Sequence, residues 1–97
     1  MDAKELSKIQ RRIKILQKQL GSLGPVMRGS VVRLGQKQRI CFSLNKDKKT
    51  QLIYLGKKRE SKAREYSDNY KKLVEIVEEM TQLNMLLLKK DYGIELK

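Results

Sequence analysis

The chain has no histidine and no tryptophan, one cysteine, one proline and one phenylalanine. Without histidine, imidazole acid–base catalysis and His-bearing zinc sites are excluded, and Cys41 alone cannot form an internal disulfide. Acidic residues are scarce, 11 against 23 Lys and Arg, which gives a net charge of +12. They are scattered, and Glu75, Glu78 and Glu79 sit at helical surface spacing. No pair is placed for general acid–base work or for a metal, so no catalytic residue, cofactor or metal site is expected. No apolar run approaches the roughly 20 residues of a membrane span. Met1-Asp2-Ala3-Lys4 lacks the apolar core of a signal peptide, so the expectation is a soluble, cytoplasmic protein without a membrane partner.

What is present is basic charge and helical periodicity. Ninety-seven residues suit one domain with a modest core and no deep pocket. From Tyr66 to Leu88 apolar residues recur at four-three spacing: Tyr66, Tyr70, Leu73, Val77, Met80 and Leu87, with Asn84 in the one polar slot. A repeat of about 3.5 residues is that of a helix lying along another helix. Val74, Ile76, Leu83 and Leu88 widen the stripe, so more than one neighbour is expected.

In chain order, Asp2 and Glu5 form a capping-box pattern, followed by Leu6, Ile9, Ile13, Leu16 and Leu20 at matching period. Gly21 and Gly24-Pro25 stop this first helix, predicted over 3–20. Residues 28–56 then change character. A β-branched stretch ends at Gly35. Ile40, Phe42 and Leu44 alternate with Arg39, Cys41 and Ser43. Asn45–Lys49 reads as a polar turn, and Thr50–Leu55 as a third strand closed by Gly56. A three-stranded meander of this size needs a helix over its apolar face. The long helix is predicted over 59–90, with Lys89 and Lys90 at the end that favours cations, Gly93 as its stop and 91–97 as a frayed tail. The fold class is therefore α+β: a helix, a three-stranded antiparallel meander, and a long helix forming an antiparallel hairpin with the first.

The charge is expected to act on a polyanion, nucleic acid before an anionic membrane. Arg28, Arg33, Arg39, Lys46, Lys48, Lys49, Lys57, Lys58, Arg59, Lys62 and Arg64 come from the sheet, its turn and the long helix's start. Together they are candidate phosphate contacts. Arg39, Ser43 and Gln51 are candidates to read base edges, and Tyr54 to stack on a base; Tyr66 and Tyr70 fall in the seam. The same cations also suit a merely solubilised rim. Leu83, Asn84, Leu87 and Leu88 are candidates for a helical interaction or oligomer surface. Surplus apolar stripe on the long helix points to a homodimer, unless the sheet covers it. Asn84 either fixes register by polar pairing or lies wet beyond the partner helix. The alternative to nucleic-acid contact is a helical protein–protein module that recruits or regulates a larger nucleic-acid enzyme.

Gly24-Pro25, Met27-Arg28-Gly29-Ser30-Val31-Val32, Lys49–Leu55, Tyr70-Lys71-Lys72-Leu73 and Thr81-Gln82-Leu83-Asn84 carry a resemblance spanning about two-thirds of the chain. The pattern resembles a small family of uncharacterised bacterial and archaeal proteins associated with transposons and mobile elements. Members often carry a cysteine cluster between the first two strands. Here that place is Gly35-Gln36-Lys37-Gln38, so no metal role carries over. The resemblance implies an accessory that touches DNA or RNA, or assists a transposase or nuclease. Three strands followed by a helix also look like the arm-binding domain of tyrosine recombinases, a likeness of fold alone.

Overall fold

A computed structural model describes residues 2–92, and side chains as far as residue 90. The elements are α1 (Ala3–Gly21), β1 (Ser30–Leu34), β2 (Arg39–Lys46), β3 (Lys49–Tyr54) and α2 (Gly56–Tyr92). The fold is α+β, as the sequence pattern predicts. α2 runs on to Tyr92, two residues into the predicted tail, and the expected stop at Gly93 with the rest of that tail lies outside the described residues. The chain divides into two compact units: residues 1–23 with 73–97, and residues 24–72.

The first unit is a helical hairpin. Asp2 caps α1 by accepting from the Glu5 N–H at 2.8 Å, and the Ser22 N–H closes its other end on the Lys18 carbonyl. These bonds satisfy backbone groups that a helix terminus otherwise leaves to water. Leu16 is the most buried residue of the unit, 1 % exposed, with Ile9, Ile13 and Leu20 half-buried on the same arc. On α2 the matching arc is Leu73, Ile76, Met80, Leu83 and Leu87, with Ile76 buried. This corrects the expected seam. Val77 is 47 % exposed and Asn84 is exposed, so Ile76 and Leu83 take the places predicted for them. The reason is rotational drift: a straight helix turns about 100° per residue, and one three-residue step from Leu73 moves the stripe back toward Ile76. One edge of the hairpin is closed by Arg12, whose Nε and Nη2 donate to the Glu79 carboxylate at 2.6 and 2.9 Å. Both side chains are over 40 % exposed, so the pair fixes geometry more than it adds stability.

The second unit is the sheet and the first part of α2. The strand order is β1-β2-β3, antiparallel throughout. In register, Val31, Phe42 and Ile53 share one row, and Val32, Cys41 and Tyr54 the adjacent one. Side chains alternate between faces, so Val31, Arg33, Ile40, Phe42, Gln51 and Ile53 are on one face and Val32, Cys41, Ser43, Leu52 and Tyr54 on the other. The first is the inner face. Ile40 and Phe42 form the core with Leu55 and with Ala63 of α2, and Met27 and Val31 pack against it. Ala63 matters because a methyl side chain lets the helix approach the sheet closely.

Residues 24–29 are stapled to α2. The Met27 N–H donates to the Tyr66 carbonyl at 3.1 Å, Asn69 Nδ2 to the Pro25 carbonyl at 2.9 Å, and the buried Ser67 hydroxyl to the Gly29 carbonyl at 2.8 Å. Gly29 has φ +131°, and a Cβ there would lie 2.6 Å from the Ser43 carbonyl oxygen. No larger residue fits. The β2–β3 connection is tighter than the predicted Asn45–Lys49 turn. Its only two central residues, Asp47 and Lys48, adopt φ +52° and +63°, while the strands run on to Lys46 and from Lys49. Such a two-residue turn matches the twist of a hairpin and normally draws Asn or Gly. α2 starts three residues earlier than predicted because Gly56, at φ +69°, turns the chain directly from β3 into the helix.

These positions give opposite expectations in urea unfolding. Gly29→Ala should lower stability by about 2 kcal/mol or more, through strain and a backbone clash. Lys48→Gly should raise it by about 0.5–1 kcal/mol by relieving a left-handed lysine. Glu79 gives a pH expectation. Its hydrogen bond to Arg12 holds its carboxyl below the ordinary value of 4.5. That contribution is present above the unfolded-state pKa and is lost as pH falls through the lower folded one. In an NMR titration the Glu79 midpoint should rise in Arg12→Gln.

Candidate nucleic-acid interface

The sheet unit, residues 24–72, holds fourteen of the 23 basic residues but only four of the 11 acidic ones. Ten of the twelve net positive charges therefore lie there. Its cations fall into two groups, one at each end of the sheet. Where β1 turns into β2 and β3 leads into α2, the group is Lys37, Arg39, Lys57, Lys58 and Arg59. Around the β2–β3 hairpin turn it is Arg28, Lys46, Lys48 and Lys49. Arg39 and Lys46 begin and end β2, so the groups are about 23 Å apart at about 3.3 Å per residue.

Several of the predicted contacts already have structural partners. Arg59 donates from Nε to the Leu55 carbonyl and from Nη2 to the Tyr54 carbonyl, at 2.9 and 2.6 Å, which ties the end of β3 to the first turn of α2. Arg28 Nη1 donates to the Asn45 carbonyl at 2.9 Å and anchors the loop before β1. Arg64 and Arg33 both reach Glu60, at 2.7 and 3.4 Å. Arg33 also lies on the inner face, toward α2. By contrast, Arg39, Lys46, Lys48, Lys49, Lys57, Lys58 and Lys62 make no ion pair among the described residues. On α2, Lys58 and Lys62 project from one flank and Lys57 and Arg64 from the other, as the helical rotation of about 100° per residue requires. The start of the helix thus carries two basic edges.

Between the two groups, the outer face of the sheet is neutral. Its rows are Leu34 with Arg39; Val32, Cys41 and Tyr54; Ser30, Ser43 and Leu52; and Asn45 with Thr50. Tyr54 is 59 % exposed and Leu52 52 %, while Cys41 between Val32 and Tyr54 is buried. Arg39 and Ser43 both lie on this face, as alternation predicts. Gln51 does not: its register partner is Leu44, on the inner side, where it lines a cleft of about 240 Å³ with Met27, Phe42 and Ile53. Of the acceptors and donors on the outer face, Thr50 donates to the Asn45 amide oxygen at 2.7 Å. Strand alternation counted from Ile40 would have identified Ser30, Asn45 and Thr50 as further polar residues of the same face. Lys37 was passed over because it stands in a turn, outside any periodic pattern.

The α2 first turn is Gly56-Lys57-Lys58-Arg59, with no acidic residue. Cations are disfavoured there by the helix dipole, and a bound anion reverses that cost. Among the described residues no group of acidic, histidine or cysteine side chains is arranged to hold a metal. The helical candidates divide. Leu83 and Leu87 are half-buried on the arc that faces α1, whereas Asn84 and Leu88 are exposed. No helix among the described residues is long and apolar enough to cross a membrane. Compared with known proteins, the chain matches no protein family, no curated protein and no solved structure.

Proposed function

We propose that the chain is a non-enzymatic, cytoplasmic nucleic-acid-binding accessory whose sheet unit grips phosphates with the cations at both ends of the sheet. The observation that carries this reading is the segregation of charge. Ten net positive charges sit on 49 residues, and twelve of the fourteen cations there have no acidic partner among the described residues. Lysines left unpaired on a folded surface repel one another, and phosphates relieve that repulsion while releasing counterions. The spacing of the two groups supports duplex binding. About 23 Å of strand, with cations at both ends, reaches the backbones on either side of a major groove about 12 Å wide. The neutral outer face then lies toward the base edges, with Arg39 and Ser43 as hydrogen-bonding groups and Leu52 as an apolar one. Tyr54, largely exposed on that face, offers a ring for stacking on an unpaired base. Association with a mobile element, transposase or nuclease rests on the resemblance of the motifs alone; copurification with such an enzyme tests it.

The test is fluorescence anisotropy with labelled duplex DNA, single-stranded DNA and structured RNA across a salt series. Log affinity should fall with log salt by about 0.9 for each duplex phosphate neutralised. Reversing Arg39, Lys48, Lys57 and Lys58 to glutamate should weaken binding at least about a hundredfold, with the circular dichroism spectrum unchanged. These four are chosen because none supports the fold, unlike Arg28, Arg33 and Arg59. A quadruple variant that binds as the native protein does would eliminate the proposal. Tyr54→Ala separates substrates: a loss of about fivefold or more on single strands with little change on duplex marks stacking, and equal losses mark shape alone.

A further inference from the structure

The outward side of α1 carries a second concentration of positive charge. At about 100° per residue, Ile9, Ile13, Leu16 and Leu20 fall on one arc of the helix, its buried side. Lys4, Lys8, Arg11, Lys14 and Lys18 fall on the opposite arc, within about 120° of the circumference. All five are exposed, and only Ser7 and Ile15 stand among them. No acidic residue shares the arc, and none of the five makes an ion pair among the described residues. Arg12, beyond the edge of this stripe, is the α1 cation that has a carboxylate, Glu79. Neighbours in the stripe are three or four residues apart, the spacing at which like charges on a helix repel. No carboxylate within the stripe offsets that repulsion, although the hairpin unit as a whole is nearly balanced, with nine basic and seven acidic residues.

We infer that this stripe is a second phosphate-binding surface, which lies along the backbone of a nucleic acid. It shares no residue with the cations of the sheet unit and binds with or without them. Charge and spacing both fit. From Lys4 to Lys18 the stripe is about 21 Å long at 1.5 Å per residue. One strand of a duplex sets a phosphate at every 3.4 Å of axis, so about six phosphates occupy the same length, close to one for each cation. Flexible lysine stems take up the difference in pitch. Near the start of the helix, Lys4, Lys8 and Arg11 border an open recess of about 330 Å³ with Ala3 and Ser7, and the Ser7 hydroxyl is a further donor to a phosphate oxygen. An anionic membrane is the other polyanion such a stripe meets, and the fold argues against it. A helix that rests on a membrane buries its apolar face there, whereas the apolar face of α1 is already packed inside the hairpin, with Leu16 only 1 % exposed. Ile15 is the single apolar residue of the stripe.

The experiment compares two double variants of the full chain that lose the same charge from the same unit. One is Lys8→Gln with Arg11→Gln, in the stripe; the other is Lys89→Gln with Lys90→Gln, exposed at the end of α2. Each is titrated onto labelled duplex DNA across a salt series. Loss of two phosphate contacts should lower the salt slope of the stripe variant by about 1.8, and its affinity at low salt at least about fivefold. The α2 variant should keep a slope within about 0.5 of the native one. Lys4→Gln with Lys18→Gln repeats the test if the first pair loses helicity by circular dichroism. Equal effects of the two variants mean net charge alone and overturn the inference, as does a stripe variant that binds like the native chain. So does native protein that binds phosphatidylserine vesicles more tightly than duplex and loses that preference in the stripe variant, or polyglutamate that displaces the duplex as well as unlabelled DNA of equal charge does. Made in the background of the four glutamate reversals in the sheet unit, the stripe substitutions should cost the same factor again. A stripe without effect beside a sheet variant that loses binding removes this surface and leaves the sheet site standing, and the reverse result does the opposite.

Discussion

The fold of the basic unit depends on the contact between Phe42 and the first turns of α2. Phe42 is 2 % exposed at the centre of the inner face, with Ile40 beside it and Ala63 across from it. Three strands of five, eight and six residues do not stand alone in water, so the sheet exists because a helix covers that face. A buried phenylalanine of this kind contributes about 3–5 kcal/mol, a large part of what so small a unit has. The other attachments serve that contact. Gly29 passes within van der Waals range of the Phe42 ring only because it has no side chain, and the Ser67 hydroxyl holds its carbonyl in place. Arg59 binds the carbonyls that β3 leaves at its end, so the helix is joined to the sheet covalently through Gly56 and electrostatically through its first turn.

The elements and the order of the strands were legible in the sequence because each rests on a local signal. Alternation of Ile40, Phe42 and Leu44 identified the inner face; Asp2 and Glu5 marked the start of α1; glycines marked the ends. The errors fall where a local rule is ambiguous. A heptad count through Leu73 accepts either Ile76 or Val77, and only the packing against α1 selects Ile76. The hairpin turn was read too long because Asp47 and Lys48 are not the glycine or asparagine that usually announce two left-handed residues. Gly56 was read as the end of a strand, whereas it is also the start of a helix.

The basic residues were legible as a set but not in their roles. Composition weights all arginines equally. The fold does not: Arg28, Arg33, Arg59 and Arg64 bind carbonyls or Glu60, and the unpaired cations are mainly lysines. This division follows from chemistry. The planar guanidinium satisfies two acceptors in fixed geometry and suits the joints of a fold, whereas the lysine ammonium is strongly hydrated and is left at the surface. Alternation with Ile40 and Phe42 assigns Arg39 to the outer face, but Val31-Val32-Arg33-Leu34 has no alternation that assigns Arg33, and only the fold brings Glu60 opposite it.

The separation of charge between the units has a physical consequence for any protein this basic. Net charge spread evenly over the surface would oppose both self-association and close packing of the chain on itself. Here the hairpin unit holds nine basic and seven acidic residues, nearly balanced, with Arg12 and Glu79 paired at one edge. The sheet unit holds the imbalance. A polyanion bound there, as proposed, would neutralise charge that the cations of the sheet unit otherwise leave to counterions. That neutralisation is electrostatic, and it diminishes as salt shortens the screening length to about 10 Å or less. It therefore belongs to the physiological range of ionic strength and below, where the repulsion among the basic residues is strongest.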